Sequence, residues 1–243
     1  MKTYRERIYA QYSSARDEEL APTSIGGLRS RAPYLTKLIR DHFPTKKDSI
    51  ILDLGCGYGA LIYYAKLSGY TNIQGIDISP EQVSAARKLG IEGVFEGDAW
   101  KTFQEQTDGS VDAIVTFDVI EHFTREELVQ FIDEVYRVLT LGGKWIIHAP
   151  NGEGPFASRI RFGDLTHEII FTRISIAQIL FASGFSQVQS FEDAPIPHGL
   201  VSIIRWILWK LIHLILRFYI AIETGNLSDK TIFSQNFLTV AVK

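Results

Sequence analysis

Residues 50–59 have the sequence Ile50-Ile51-Leu52-Asp53-Leu54-Gly55-Cys56-Gly57-Tyr58-Gly59. Branched apolar residues run into three glycines at alternate positions, and the residues from Ala60 onward have the pattern of a helix. This pattern predicts a buried strand that turns sharply into a helix N-terminus, where backbone N–H groups face an incoming ligand. We therefore expect a site for a nucleoside-bearing small molecule at this turn.

Strand and helix patterns alternate on both sides of the turn. Further strands are expected at residues 72–78, 93–96, 111–117, 144–149, 186–191 and 237–242. Between them lie helix signals such as the capping box of Thr124 and Glu127. The alternation predicts an α/β fold with a doubly wound, Rossmann-like, mostly parallel sheet of seven strands.

The order of these elements divides the chain into four parts. Residues 1–49 are expected to form an N-terminal helical lid, made of a short helix, a mobile loop at 21–27 and a helix from Pro33. Residues 50–193 form the ligand-binding core. Residues 194–235 are an apolar helical insertion, much longer than a hairpin connection requires. Residues 236–243 return to the core as the last strand of its sheet.

The composition argues against several classes of function. A chain of 243 residues, 46% of them hydrophobic, can bury one sizeable core. The net charge of −3 and the lack of a basic stripe with stacking aromatics argue against nucleic acid as a partner. The single cysteine, Cys56, excludes an internal disulfide and is expected to serve as a small residue in the turn. Together with a charged start and no apolar leader, these features predict a cytoplasmic protein.

Five strand ends are expected to form one crevice, because ligands bind such sheets outside the carboxyl ends of their strands. The segments concerned are Asp53–Gly59, Asp77, Asp98–Trp100, Asp118–His122 and His148–Asn151. This crevice is the expected functional site.

The glycine spacing alone leaves a dinucleotide cofactor open. Gly55, Gly57 and Ala60 satisfy the pattern G-x-G-x-x-G/A, and Asp77 lies about where a ribose-binding acid belongs. An NAD-dependent oxidoreductase, or a flavin enzyme, is therefore one hypothesis.

Neighbouring residues favour a different ligand. Asp53 lies two residues before the first glycine, where a carboxylate can hold an ammonium group, and Gly59 opens the turn further. Asp98 and Ala99 offer a carboxylate and a backbone N–H that can pair with adenine, with Trp100 as apolar cover.

Four segments together strongly resemble class I S-adenosylmethionine-dependent methyltransferases. They are Leu52–Gly59, Gly75–Ser79, Gly97–Ala99 and Phe117–Phe123, in the order and spacing typical of that family. The resemblance covers about residues 50–150 and implies S-adenosyl-L-methionine as cofactor, S-adenosyl-L-homocysteine as product and an antiparallel last strand. A protein that binds this cofactor without catalysis is the non-enzymatic alternative.

The resemblance assigns roles to residues of the crevice. Gly55 and Gly57 would lie against the methionine part of the cofactor. Asp77 would bind the ribose hydroxyls, Ile78 would flank the adenine, and Asp98 would bind its amino group. The expected cofactor-binding residues are Asp53, Gly55, Cys56, Gly57, Asp77, Ile78, Asp98, Ala99, Trp100 and Phe117.

Methyl transfer to a hydroxyl requires a base, because a proton must leave as the new bond forms. Histidine is the natural candidate near neutral pH. His122 and His167 are therefore the expected bases. The resemblance places Asp118 at the transfer site, and we count it with them as catalytic.

Other polar residues near the crevice are expected to bind the substrate. They are His148, Asn151 and Asp164, of which Asp164 is also a hydrogen-bond partner expected for His167. Oxygen and imidazole groups in this region would suit magnesium or manganese. No tight ligand spacing supports such a site, so no metal is predicted.

A weaker resemblance over residues 150–191 concerns the acceptor. Pro150–Pro155, Gly163–His167 and Phe171-Thr172 are similar to segments of methyltransferases from bacterial polysaccharide and lipopolysaccharide clusters. This resemblance implies a sugar or glycan hydroxyl as acceptor. The Glu121-His122 loop also resembles small-molecule, quinone-type O-methyltransferases, and N-methylation of an amino sugar is a third hypothesis.

The stretch Gly199–Ile222 is strongly apolar but is not expected to cross a membrane. It carries two arginines, a lysine and a histidine, and a central Arg or Lys costs about 2.5–3.5 kcal/mol on insertion scales. At 100° per residue, Ser202, Lys210, His213 and Arg217 share one narrow sector, and the rest is apolar. Such a helix fits packing on its own sheet, a homodimer, or peripheral contact with a membrane interface.

Overall fold

The computed structural model describes residues 4–9, 21–226 and 230–243, and its centre is a seven-stranded sheet of order β3-β2-β1-β4-β5-β7-β6. The strands are β1 Ile51–Leu54, β2 Ile73–Asp77, β3 Val94–Glu96, β4 Val111–Phe117, β5 Leu139–Pro150, β6 Gln187–Glu192 and β7 Asn236–Val242. Strands β1 to β5 pair in parallel, and β7 runs antiparallel between β5 and β6. The predicted sheet, with its antiparallel last strand, is confirmed.

The helices in the described residues are α1 Tyr4–Tyr9, α2 Ala32–His42, α3 Ala60–Leu67, α4 Pro80–Lys88, α5 Ala99–Glu105, α6 Arg125–Val138, α7 Ala157–Arg161, α8 Arg173–Ala182 and α9 Leu200–Thr224. Helices α2 to α4 pack on one face of the sheet, and α5, α6 and α8 pack on the other. Short 3₁₀ helices lie at Ile25–Ser30 and Ile120–His122. The loop predicted at 21–27 is therefore shorter than expected, because its second half coils into the first of these 3₁₀ turns.

Two hydrophobic clusters, one on each face of the sheet, form the core. Alternate residues of β4 point to opposite faces, so that Ile114 packs with α5, α6 and α8, whereas Val115 packs with α2, α3 and α4. The capping box predicted at Thr124 starts α6, which buries Phe131 and Val135 completely. Each such side chain contributes about 1.5–3 kcal/mol of burial free energy, so the core fixes the strand ends that carry the site.

Strand β5 begins five residues earlier than predicted. A strand that begins at Lys144 would leave the glycines at 142 and 143 outside it, but Leu139 already pairs with Val111. The register then shifts before Lys144 pairs with Ala113, and Gly142 has a positive φ of 76°. The glycines therefore form an irregularity within the strand rather than a break before it.

The insertion forms the 25-residue helix α9. Of the three arrangements predicted for it, packing of its apolar face on the chain's own sheet does not occur. His213 is the single buried residue of this fully described helix. Its imidazole Nδ1 lies 3.4 Å from a carboxylate oxygen of Glu192, at the end of β6. The prediction that the broad apolar face packs on the chain's own sheet is wrong, because the polar sector faces the protein instead. Within the described ranges, no helix has the length and apolar character needed to cross a membrane.

Candidate active site

A cavity of about 740 Å³ opens at the carboxyl ends of the parallel strands. All of the residues predicted to bind the cofactor line it, together with His122, Asp118 and His148. The predicted convergence of strand ends therefore occurs, and the cavity is closed on one side by Tyr34 of α2 and by Arg31, the residue before this helix.

The turn after β1 requires glycine. Gly55 has a φ of +74°, and a Cβ atom added there would lie 2.4 Å from Val119 Cγ2. The backbone N–H groups of Gly55 and Cys56 both donate to the Ile76 carbonyl, at 2.8 and 3.2 Å. The turn is thus tied to β2, and its backbone is exposed to the cavity rather than covered by side chains. Burial raises the pKa of the Cys56 thiol well above its ordinary value, which argues against a nucleophilic role.

Asp77, at the end of β2, connects the turn to α4. One carboxylate oxygen accepts from the Gly57 N–H at 2.7 Å, and the other accepts from the Ser79 N–H at 2.8 Å. Burial raises the pKa of Asp77, and these two hydrogen bonds oppose that shift. The sequence predicted a ribose-binding acid here but did not reveal that it also holds the loop in shape.

Asp53 supplies an observation on whether the predicted cofactor fits. Its side chain is 2% exposed, and its Oδ1 is buried with no hydrogen-bond partner among the described residues. Burial, and secondly the nearby Asp77, raise its pKa to about 8. A buried, unpartnered carboxylate beside a cavity is costly unless a cation pairs with it. The ammonium group of a bound amino acid moiety would supply that cation.

The opposite end of the cavity fits a flat ring. Asp98 caps α5 by accepting from the Trp100 N–H at 2.8 Å, while still lining the cavity. Trp100 contacts Phe123 and Phe131 edge-on, with ring centroids 6.1 and 5.8 Å apart. These neighbours hold the indole in place as part of an apolar wall. The Asp98 carboxylate lies next to it, which is the combination expected for adenine.

An ion-paired histidine lies on the other side of the cavity. His148 Nδ1 lies 2.8 Å from Asp118 Oδ1, and its Nε2 lies 3.4 Å from Asp193 Oδ2. The imidazole stacks on Phe117 with a centroid distance of 4.4 Å. Burial alone would lower the pKa of His148, but the two carboxylates raise it to about 10. His148 is therefore positively charged at neutral pH and cannot act as a base.

His122 has the opposite character. Its Nδ1 lies 2.9 Å from the Thr166 hydroxyl and 3.2 Å from the Thr166 carbonyl. The same hydroxyl donates to Asp164 at 2.6 Å, so the network assigns the imidazole proton to Nδ1. Burial, and secondly His167, lower the pKa of His122. The ring is therefore neutral at pH 7, with its proton on Nδ1.

His167 and Asp164 do not line this cavity as the described residues form it. His167 Nδ1 contacts the Ile160 carbonyl at 3.0 Å, and its ring lies beside that of His122, 4.9 Å between centroids. The carboxylate of Asp164 accepts from both the backbone N–H and the hydroxyl of Thr166, and the predicted hydrogen bond with the His167 imidazole stays a prediction. His167 thus lies behind His122, and Asp164 acts on His122 through Thr166.

Asn151, predicted to bind substrate, is completely buried and also lies outside the cavity lining. Its amide donates to the carbonyls of Ile232 and Ser234, at 2.6 and 2.7 Å. These bonds hold the segment that enters β7, which is a structural role.

Three titratable groups meet at the 3₁₀ turn Ile120–His122. Glu121, His122 and His167 each offer one ligand atom, all within 4.8 Å of one another. Glu121 is completely buried, and burial together with Asp118 raises its pKa well above the ordinary value. The sequence indicated only that oxygen and imidazole groups lie in this region, and the prediction of no metal stays a prediction.

Several residues of the site were missed from the sequence. Asp193 follows β6, whose carboxyl end lies at the same edge as that of β5, so the strand-end argument would have identified it. Tyr34 lies on α2 and carries no local signal. Arg5 on α1 donates two hydrogen bonds to Glu127, at 3.0 and 2.9 Å, and both residues line the cavity. Closure of the N-terminal region as a lid stays a prediction.

Comparison with known proteins agrees with this geometry. Residues 52–147 match a family model described as a methyltransferase domain. Over 144 residues the chain is 29% identical to cyclopropane mycolic acid synthase 3 of Mycobacterium tuberculosis, an alignment that covers 56% of this chain and 48% of that protein. The chain spans about half the length of the curated relatives it matches.

Solved structures show the same fold. A SAM-dependent methyltransferase from Archaeoglobus fulgidus superposes with a TM-score of 0.64 at 20% identity, covering 89% of this chain and 96% of that one. Phosphoethanolamine N-methyltransferase 2 of Haemonchus contortus, in complex with S-adenosyl-L-methionine, gives a TM-score of 0.58 at 16% identity, covering 99% and 57%. The names of these proteins do not decide the acceptor of this chain.

Proposed function

We propose that this S-adenosylmethionine-dependent methyltransferase domain O-methylates a hydroxyl of a sugar or glycan. The observation that carries the proposal is the neutral His122, which lines the cavity with its Nδ1–H held by Thr166. A hydroxyl acceptor must lose a proton as the bond forms, and a neutral imidazole that lines the cavity is a suitable base to take it.

The first half of the cavity would hold the cofactor. Bound S-adenosylmethionine supplies a methyl group on a positively charged sulfur, which departs as a neutral thioether. Asp53 would pair with the ammonium group, Asp77 with the ribose, and Asp98 with the adenine amino group. The glycine turn leaves its backbone open for close approach of the cofactor.

The second half would align the acceptor. Thr166 and Asp164 keep the His122 proton on Nδ1, so that Nε2 accepts the acceptor's proton. The resulting imidazolium would be stabilised by Asp118 and Asp164, because both carboxylates already act to raise the pKa of His122. Alignment and exclusion of water then supply the remaining rate enhancement.

The polarity of this half favours a sugar over a quinone-type ring. Charged and hydroxyl groups line it, including His148, Asp118, Asp193 and Tyr34. Such groups can donate to and accept from the several neighbouring hydroxyls of a sugar, whereas a flat quinone would be bound better by apolar walls. The expected acceptor is therefore polar.

A labelled-methyl assay tests the proposal. The purified chain would be incubated with methyl-labelled S-adenosylmethionine and with nucleotide sugars or purified bacterial oligosaccharides. We expect an O-methylated sugar, identified by mass spectrometry. A methylated quinone, or a methylated amine on an amino sugar, would replace the sugar hydroxyl as acceptor.

Calorimetric titration separates the cofactor from the acceptor. S-adenosylhomocysteine should bind, and NAD in a parallel cell should not. Binding of S-adenosylhomocysteine without any sugar product contradicts the acceptor alone, whereas failure to bind it contradicts the assigned cofactor site.

A further inference from the structure

Helix α9 is oriented differently from α6: its polar side faces the protein and its apolar side faces outward. Helix α6 buries its apolar stripe and exposes its polar side chains, as a helix on a globular core does. In α9 the buried residue is His213, which contacts Glu192 and the Phe233 ring. Arg217, in the same sector, also lies 3.7 Å from Glu192. The protein therefore holds α9 by its polar side.

The outward side of α9 is a continuous apolar face. At 100° per residue, its large apolar side chains occupy about half of the helix circumference with no polar residue among them. Each of these side chains is between 42% and 82% exposed. They are Leu200, Val201, Ile203, Ile204, Ile207, Leu208, Leu211, Ile212, Leu214, Ile215, Phe218, Tyr219 and Ile222. We call this set the outer face of α9; it is about 34 Å long at 1.5 Å per residue.

Basic residues flank the outer face. Arg205 lies at one edge, and Lys210 lies at the other, with its ammonium group 5.6 and 5.5 Å from the Trp206 and Trp209 ring centroids. The helix contains one acidic residue, Glu223, in its last turn. Long basic side chains at the edges of an apolar face can reach anionic groups while the face itself is immersed.

A second exposed apolar group lies near the same edge of the sheet. Phe156, Phe162 and Leu165 are each 78% exposed, on and around α7. Glu153, just before them, accepts from the Ile232 N–H at 3.2 Å, and His213 packs on the adjoining Phe233. The strand ends at this edge also carry the active site.

A lipid surface fits the outer face better than a second copy of the chain. One partner helix covers an apolar stripe of roughly 100°, so pairing of α9 with α9 would leave much of the outer face in water. Such pairing would also bring together two helices that each carry an excess of basic charge. A bilayer covers the full width of the face, and anionic lipid complements Arg205 and Lys210.

We propose that α9 docks flat on an anionic membrane surface through its outer face, with Arg205 and Lys210 at the level of the lipid headgroups. The chain then works at a membrane, with its active-site edge beside the lipid. The inference rests on the exposure and charge of α9 and does not depend on which acceptor is methylated.

Vesicle sedimentation tests the docking. The whole chain would be mixed with vesicles of phosphatidylcholine and phosphatidylglycerol at 70:30, and with pure phosphatidylcholine. We expect co-sedimentation with the anionic vesicles. The triple variant Ile204→Gln, Leu208→Gln, Ile215→Gln, at the centre of the outer face, should bind them roughly tenfold more weakly or worse. Arg205→Gln with Lys210→Gln should weaken the preference for anionic lipid, by a factor that falls in high salt.

A matched control makes the same kind of substitution, apolar to glutamine, at exposed positions outside α9. Leu67→Gln, Leu141→Gln and Ile174→Gln replace three apolar side chains on other elements that are 62% to 89% exposed, and this variant should bind vesicles like the unmodified chain. Equal binding by the outer-face variant, or no binding by the unmodified chain, contradicts the proposal. Light scattering covers the remaining outcome: a lipid-free dimer that the outer-face variant turns into a monomer, without vesicle binding, would show a second copy on this face instead.

Discussion

The two halves of the cavity are built in different ways. On the cofactor side, Asp77 accepts hydrogen bonds from Gly57 and Ser79 in the loops after β1 and β2, and Oδ1 of Asp53 is buried with no hydrogen-bond partner among the described residues. On the acceptor side, charges are already paired between distant segments, as in the contacts of His148 with Asp118 and Asp193. The first half therefore contains a buried carboxylate oxygen with which a cationic ligand can pair, whereas the carboxylates of the second half already contact a protonated imidazole.

This difference indicates what each half can receive. A site with an uncompensated buried carboxylate favours a positively charged ligand, which S-adenosylmethionine is. A site whose carboxylates already contact a protonated imidazole has less need of a cationic ligand, and it offers several hydrogen-bonding groups. It therefore favours a neutral, polar acceptor, in agreement with a sugar hydroxyl.

The largest effect is expected from His122→Gln. Removal of the base should lower kcat about 100- to 10,000-fold, whereas the Kd of S-adenosylhomocysteine should stay unchanged. Single-turnover methyl transfer and calorimetry measure the two quantities separately.

His167→Gln is the matched control, because His167 lies behind His122 and outside the cavity lining. Its kcat should fall far less. If the His167 variant loses turnover and the His122 variant keeps it, the two roles are reversed and the acceptor side has been assigned wrongly.

The same comparison explains what the sequence could reveal. The cofactor side depends on glycines and carboxylates within a few residues of two strand ends, so a local pattern identifies it. The acceptor side depends on contacts such as Thr166 with His122, which are 44 residues apart, and Asp193 with His148, which are 45 apart. Strand-end reasoning found His122 and His148 but could not show which of them is neutral.

Local chemistry also explains why two residues predicted to bind substrate lie outside the cavity lining. Asn151 and Asp164 are polar residues next to strand β5 and its loop, and polarity at such a position predicts a ligand contact. In the structure, buried carbonyls and a hydroxyl take up their hydrogen bonds instead. The orientation of α9 could not be predicted, because its polar sector is held by Glu192, a partner outside the helix.

Asp77→Ala should have the next largest effect, on the cofactor side. Loss of hydrogen bonds to a charged group costs about 1.5–3 kcal/mol, so the Kd of S-adenosylhomocysteine should rise about 10- to 150-fold. Since Asp77 also holds Gly57, thermal unfolding of the ligand-free variant must be recorded alongside. Asp77→Asn, which keeps an acceptor for one loop N–H, should bind with intermediate affinity. Affinity unchanged in both variants would remove Asp77 from the cofactor site.

Asp53→Asn should change the pH dependence of binding by a smaller, several-fold factor. Because the pKa of Asp53 in the folded chain is raised to about 8, a cationic ligand binds more tightly as the pH rises toward 8 and the carboxyl ionises.

The same carboxyl affects folding stability. The folded state holds a proton that the unfolded chain releases above its ordinary pKa, so the ligand-free protein loses stability as the pH rises toward 8. The asparagine variant should bind S-adenosylhomocysteine more weakly at pH 8, with a flatter pH profile, and should lose less stability between pH 5 and 8. Calorimetry and thermal unfolding across that range measure both slopes. An affinity that falls toward pH 8 in the unmodified chain would show that the buried carboxylate does not pair with the cation, and the electrostatic contrast between the two halves would then be wrong.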